Sequence, residues 1–324
     1  MASLILTNGD SAADLLAAAG KEGRILPWRD VLHEGPIKLD LAACTKLRAD
    51  YVARRFLVDP GEVAADFAAR DAVLSAHAGF ERIELWFEHD LYDQLQILQI
   101  LAFFAGVQRS DGLILVQADD FLGGQKVETI LQFADLARPL DADDLDLGER
   151  VFADLAMPTP ERAFAHLAEP GGSLPYLAPA LRRFFEELPA PQTGLSRTEG
   201  TALAGIAEGN SRAVDLFHRA IASEEAPFMG DMSFFRMLDD LAFAETPLIA
   251  GLAPPPERED GTERYRDAVL RLTAAGAAAV NGDADHVALS GLDRWWAGTR
   301  LYGRSVWRYD RNSQELVPPD GRGA

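Results

Sequence analysis

Apolar positions along this chain switch repeatedly between two spacings. Short, nearly continuous apolar runs occur at 4–6, 25–26, 83–87 and 113–117. Their length and Val, Ile, Leu, Trp and Phe content predict buried strands. Between them the apolar residues return at helical spacing, predicting helices over 12–19, 42–56, 63–77, 91–104 and 125–136. The clearest switch is at 84–101, where an apolar strand ends in Glu88-His89-Asp90 and Leu91, Leu95, Leu98 and Leu101 then mark one helix face. Strands alternating with helices argue for an α/β fold, a doubly wound, Rossmann-like parallel sheet in the N-terminal part of the chain.

The pattern changes after Arg138. An acidic region with Asp141, Asp143, Asp144 and Asp146 is followed by Pro158, Pro160 and the breaker at 170–172. A helix is expected over 174–188, with Arg182, Arg183, Glu186 and Glu187 on its wet side, and 189–191 reads as a linker. Ser196-x-x-Glu199 has the spacing of a capping box and opens a helix to about 208. Further helices are expected over 212–223, 231–242 and 265–275, a strand at 247–249, and a terminal hairpin pairing 301–302 with 306–309. Trp295, Trp296 and Trp307 are expected to pack that hairpin onto the second domain. The tail at 318–324 is expected to fray. The expected organisation is an α/β domain over 1–138, a helical connector over 139–194, and a mainly helical, winged-helix-like domain over 195–324.

Composition narrows the function classes. The chain has 324 residues, 48% of them hydrophobic, enough for a substantial core. Its net charge is −20. The acidity is spread over both parts, with 17 basic against 31 acidic residues up to Gly194 and 14 against 20 beyond it. Neither part offers the basic face that phosphate-backbone binding needs, so nucleic acid is an unexpected partner. The helix at 231–242, which would read DNA in a winged helix, carries Asp231, Asp239 and Asp240 against Arg236. The single cysteine, Cys44, excludes an intrachain disulfide and a thiolate metal cluster. It fits a cytoplasmic location, and no signal peptide or membrane-spanning run is read.

Candidate chemistry lies where the strands end, because ligands of open parallel sheets sit beyond the carboxyl ends of the strands. Four such ends carry Asp10 and Ser11, then Asp30, His33 and Glu34, then Glu88, His89 and Asp90, then Asp119 and Asp120. Carboxylates and imidazoles meeting there would hold a divalent metal or serve as general acid and base. Asp30, Glu88 and His89 are the catalytic candidates. Gly9, Asp10, Ser11, Arg29, His33, Asp90, Gln94, Asp119 and Gly123 are candidate ligand contacts. Asp90 and Asp93 also have the spacing of a helix cap, which gives them a structural reading. Gly9-Asp10-Ser11 resembles the nucleophile context of some hydrolases, with His33 or His89 as base. The late Asp-x-x-His block of those enzymes is absent, so a cap or phosphate contact suits Ser11 better. Gly123-Gly124 can free amides for a phosphate, although no dinucleotide or Walker fingerprint is present. Arg29 is placed to pair with an anionic substrate or with a neighbouring carboxylate.

Asn8-Gly-Asp-Ser11, Trp28-Arg-Asp-Val-Leu-His-Glu-Gly-Pro36, Trp86-Phe-Glu-His-Asp-Leu-Tyr-Asp-Gln94 and Asp120-Phe-Leu-Gly123 occur in this order. Together they resemble the bacterial domain-of-unknown-function 1835 family over roughly the first 125 residues. Leu195-Ser-Arg-Thr-Glu199, Glu225-Ala-Pro-Phe-Met-Gly-Asp231 and Asp293-Arg-Trp295 are similar to the companion segment of some members. The resemblance implies an α/β N-terminal domain and carries no reaction with it. The functional expectation is therefore a bacterial protein that binds a small anionic or phosphorylated ligand. A metal-assisted hydrolase or phosphoester enzyme is the leading form. The rival is a non-catalytic adaptor whose second domain contacts a protein partner or a second copy.

Overall fold

The computed structural model describes residues 2–169, 172–258 and 261–319. Residues 170–171 of the expected breaker and 320–324 of the expected frayed tail lie outside them. The first part runs β1 (Ser3–Thr7), α1 (Asp10–Ala18), β2 (Arg24–Pro27), α2 (Leu41–Phe56), α3 (Pro60–Ser75), β3 (Arg82–Phe87), α4 (Leu91–Gly106), β4 (Leu113–Gln117) and β5 (Arg138–Pro139). The sheet order is β2-β1-β3-β4-β5. β1 to β4 are parallel and β5 is an antiparallel edge. The α/β, Rossmann-like expectation is therefore met.

Both faces of the sheet are covered, as a parallel sheet requires. Leu4, Leu6, Ile83, Leu85, Leu113 and Leu115 face the main core, with α4 packed on it. Ile5, Trp86 and Val116 face a smaller core closed by Ala12 and Leu16 of α1. β1 has β2 on one side and β3 on the other, so the loops leaving β1 and β3 diverge and open a crevice between them.

The helix expected over 125–136 is replaced by turns and a 3-10 segment, Ile130–Leu136. Ile130 is the buried residue of that segment, so no apolar stripe rewards a full helix there. The stretch expected to be a connector is core instead. α5 (Ala142–Leu155) opens with a capping box from Asp141 and Asp144. It lies so close along α4 that a methyl on Gly148 would strike Leu101. After α6 (Glu161–Ala165), α7 (Leu177–Phe185) adds Phe184 and Phe185 to the same core. Arg183, expected on the wet side, is buried and bonded to Glu187, Glu224 and Thr198. It ties α7 to the elements that follow.

Those elements are α8 (Arg197–Ala207), α9 (Ala213–Ala222), α10 (Asp231–Ala242), β6 (Ile249–Ala250), α11 (Glu263–Arg266), β7 (Arg271–Leu272), α12 (Ala274–Val280) and α13 (His286–Ser290). They enclose a separate core that includes Leu203, Leu216, Phe234, Phe235, Leu238 and Tyr265. The helix expected over 265–275 breaks because β7 pairs with β6 and Leu270 donates to the Ser211 carbonyl.

The chain then returns to the first core. β8 (Leu292–Trp296) and β9 (Thr299–Gly303) form a hairpin across Ala297-Gly298. β10 (Arg308–Asp310) pairs with β11 (Glu315–Val317). The expected pairing of 301–302 with 306–309 is not formed, because the tighter two-residue turn at 297–298 takes the first strand. Trp296 stacks on Phe184 at 4.3 Å and Trp307 is buried in the main core, so these indoles serve the first core rather than the second. Among the described residues no helix is long and apolar enough to cross a membrane.

Candidate functional site

The crevice between the ends of β1 and β3 is built from the two strand-to-helix junctions. β3 ends at Phe87, and α4 begins after Asp90. Asp90 is the N-cap, its Oδ1 accepting from the amides of Tyr92 and Asp93 at 2.8 and 3.2 Å. Asp93, one turn on, does not reach back to the N-cap amide as a capping box would. Its Oδ2 accepts instead from the Glu88 amide and from Asn8 Nδ2 at 3.2 Å. Glu88 turns its Oε1 toward the 122–124 turn after β4, where the amides of Leu122 and Gly123 donate at 2.7 and 3.4 Å. Each carboxylate therefore has one oxygen held by backbone N–H groups. One oxygen of each of Glu88, Asp90 and Asp93 lies within 4.8 Å of the others, and all three residues are buried.

No cationic side chain bonds to these acids among the described residues. Burial, and next the Glu88 charge, pushes the Asp90 carboxyl up to about 8. Burial, with Asp90 and Glu88 beside it, holds Asp93 well above the usual carboxylate range. Burial also raises Glu88, against the opposing pull of Asn8 and the two amides. Like charges in a dry pocket resist ionising together. The cluster is relieved in one of two ways, by retained protons or by a cation. Its donors are all carboxylate oxygens, the set that suits hard ions such as Mg²⁺, Mn²⁺ or Ca²⁺. Asp93 Oδ1 and Thr7 Oγ1, at the end of β1, are buried with no hydrogen-bond partner among the described residues.

The other expected site residues divide. His89 is half-buried beside the cluster, its ring against Phe121 and Tyr176, with burial lowering its pKa. Gln94 is held by the Glu88 carbonyl and Gln117 at 2.8 and 3.0 Å. Gly9 starts α1 without a side-chain cap, leaving its first amides directed at the crevice edge. Ser11 and Gly123 face each other so closely that a methyl on Gly123 would lie 3.2 Å from Ser11 Cβ. Asp119 is exposed at the rim.

Three residues lie apart from the cluster. Asp30, expected as catalytic, is fully buried against Arg48, with Nε at 2.9 Å and Nη2 at 2.8 Å, and has Arg70 at 3.8 Å. It is a structural anion, because its loop turns inward and meets α2. His33 is buried between Tyr92 and Phe228, on the far side of that loop. No hydrogen bond links it or His89 to Ser11, which removes the base from a serine nucleophile. Arg29 is committed to Asp10 and Asp66 on the surface, at 2.6 and 2.7 Å.

Asn8, Thr7 and the inward role of Asp93 were not read from the sequence. The available signal was the presence of three acids at 88, 90 and 93, which the capping reading of Asp93 absorbed. Comparison with known protein families found no match to this chain, and no curated protein matches it.

Proposed function

We propose that the β1/β3 crevice binds a hard divalent cation through Glu88, Asp90 and Asp93, and with it a small anionic or phosphorylated ligand, for hydrolysis or phosphoester chemistry. The observation that carries this reading is a trio of buried carboxylates, without a basic partner among the described residues, at the position where parallel sheets hold ligands. An anion alone would be repelled there. A bound cation would supply charge neutralisation and a polarised oxygen. The amides at the start of α1, beside the Gly123 turn, have no side-chain cap and suit phosphate oxygens. His89, between Glu88 and Asp90 in the chain and with its pKa lowered by burial, is the candidate base.

Thermal unfolding of chelator-treated protein tests the proposal. Mg²⁺, Mn²⁺ or Ca²⁺ is expected to raise Tm saturably at pH 7.5, and Asp93→Asn and Glu88→Gln to abolish the rise without unfolding the protein. Aryl phosphate mono- and diesters then assay the chemistry. A wild-type Tm indifferent to all three ions would leave the cluster as a proton-sharing structural feature.

We also carry forward the kinship with the domain-of-unknown-function 1835 family. Its support is that the resembling stretches bond to one another. Asn8 Nδ2 donates to Asp93 at 3.2 Å, and the Leu122 amide donates to Glu88 at 2.7 Å. Three helices followed by the β6/β7 pair support a winged-helix-like reading of 195–280. In that reading α10 is the helix that would read DNA. Here it is docked inward, with Ser233 donating to Glu34 at 2.6 Å and Asp240 paired with Arg55 at 2.9 Å. This favours a partner protein or second copy over nucleic acid for the adaptor alternative. A cytoplasmic location fits the buried free thiol of Cys44.

A further inference from the structure

The cavity of about 510 Å³ between α2, α10 and the β8/β9 hairpin offers no unpaired carboxylate, because each acid lining it is paired with an arginine. A different balance holds beside the second core. There a groove of about 790 Å³ lies between α8, α9, the C-terminal end of α7 and the turn joining β10 to β11. Its volume falls in the range of small-molecule sites. Gly200, Ala204 and Ala222 keep part of its wall free of bulk. Arg197, Arg219 and Arg311 also line it, against one acid, Glu186, among the described residues.

The three arginines differ in what they already hold. Arg197 donates to Glu186 Oε2 at 2.7 Å and to the Ser223 carbonyl at 3.0 Å. Arg219 lies 2.8 Å from Glu208. Arg311 has no ion pair or hydrogen bond among the described residues, and its Nη1 is shielded from solvent. The two acids that act on it are taken, Glu186 by Arg197 and Glu187 by Arg183, each at 2.7 Å. Burial lowers the Arg311 pKa in spite of both carboxylates. A guanidinium stays charged at any accessible pH, so this group cannot shed its charge as a buried lysine can. A shielded N–H without an acceptor is costly, and an oxyanion entering the groove would supply one. The guanidinium groups arrive from α8, α9 and the β10/β11 turn. Three directions match the oxygens of a tetrahedral phosphate better than the single plane of a carboxylate.

We propose that this groove binds the phosphate group of a small molecule, with Arg311 as its principal contact. Isothermal calorimetry on the full chain, stripped of metal ions and held at constant ionic strength, tests it. Inorganic phosphate and pyrophosphate are the probes, and succinate is the planar-carboxylate control. The expected result is saturable one-to-one binding of a phosphate probe, about tenfold tighter than succinate. Arg311→Met is expected to abolish it and, with no anion present, to raise Tm, because an unpaired, partly buried charge is removed. Arg219→Gln, on a half-exposed side chain, is expected to weaken binding several-fold. It covers the case in which Arg311→Met does not fold. Failure of both phosphates to bind overturns the proposal. So does binding that survives in folded Arg311→Met, or succinate binding as tightly. An anion-free Tm below wild type in Arg311→Met would overturn it too, as the sign of an Arg311 held by Glu186. Equal weakening by Arg24→Met, an exposed arginine on β2, would overturn it as attraction to charge alone.

Discussion

Asp30 and the Glu88/Asp90/Asp93 trio are both buried carboxylates that follow parallel strands of one sheet, yet their surroundings are opposite. Asp30 meets the guanidinium of Arg48, itself fully buried and bonded to the carbonyls of Val31 and Glu34. Arg70 stands behind it, stacked over Trp28 at 4.3 Å. Every charge there has a countercharge, and the loop over 28–36 is fixed by them. Gly35 belongs to the same arrangement, since a side chain there would collide with Tyr51 and Arg48. The trio has backbone amides and Asn8 but, among the described residues, no guanidinium. A buried acid with a cationic partner is explained by folding; three without one either keep protons or take a cation.

The largest expected effect sharpens the structural side of that contrast. Asp30→Ala strands the Arg48 charge in the core and is expected to cost about 3–5 kcal/mol in denaturant unfolding. The double variant Asp30→Ala with Arg48→Met is expected to recover much of that loss. A single variant with unchanged stability would break the comparison.

On the other side, the pH dependence should carry the opposite sign to that of an ordinary ion pair. Asp90 has a folded pKa of about 8, above the usual carboxylate value. Its stabilising contribution is therefore complete below about pH 4 and is lost as pH rises through 8. The cation-free protein is expected to lose stability over that window by up to about 1.4 kcal/mol per pH unit for each proton released. Asp90→Asn keeps a competent N-cap and should flatten the slope. A flat wild-type profile would show that the trio carries no retained protons.

The smallest effect is expected at the surface. Arg29 pairs with Asp10 and Asp66 in solvent and sits at a positive φ of 59°. Arg29→Ala is expected to shift stability by less than about 1 kcal/mol, measured as a urea midpoint. A loss as large as that of Asp30→Ala would mean that exposure does not separate the two kinds of pair.

Much of the fold was legible along the chain. The strands at 83–87 and 113–117 and the helix at 231–242 were readable because burial on both sides, or along one stripe, leaves a periodic trace. Errors fell where long-range pairing overrode local pattern. The run at 265–275 reads as one helix, yet its middle is drawn into β7 by Ile249 and Ser211. The charged residues at 182–187 read as wet, but Arg183 found partners in Thr198 and Glu224. Within the candidate site, Glu88, His89 and Asp90 were readable as charges at a strand end. Asp93 was hidden because its spacing matches a cap.

The sequence by itself determined an acidic α/β chain, with its ionisable loops gathered at one edge of a parallel sheet. Hydrophobic period and strand–helix alternation require only neighbouring residues to be read. Tertiary structure alone decided which buried acid has an arginine beside it, and that α10 closes a cavity against α2. Both depend on distances between segments up to about 200 residues apart, such as Glu34 and Ser233, and burial makes those distances decisive by removing the water that would otherwise screen them.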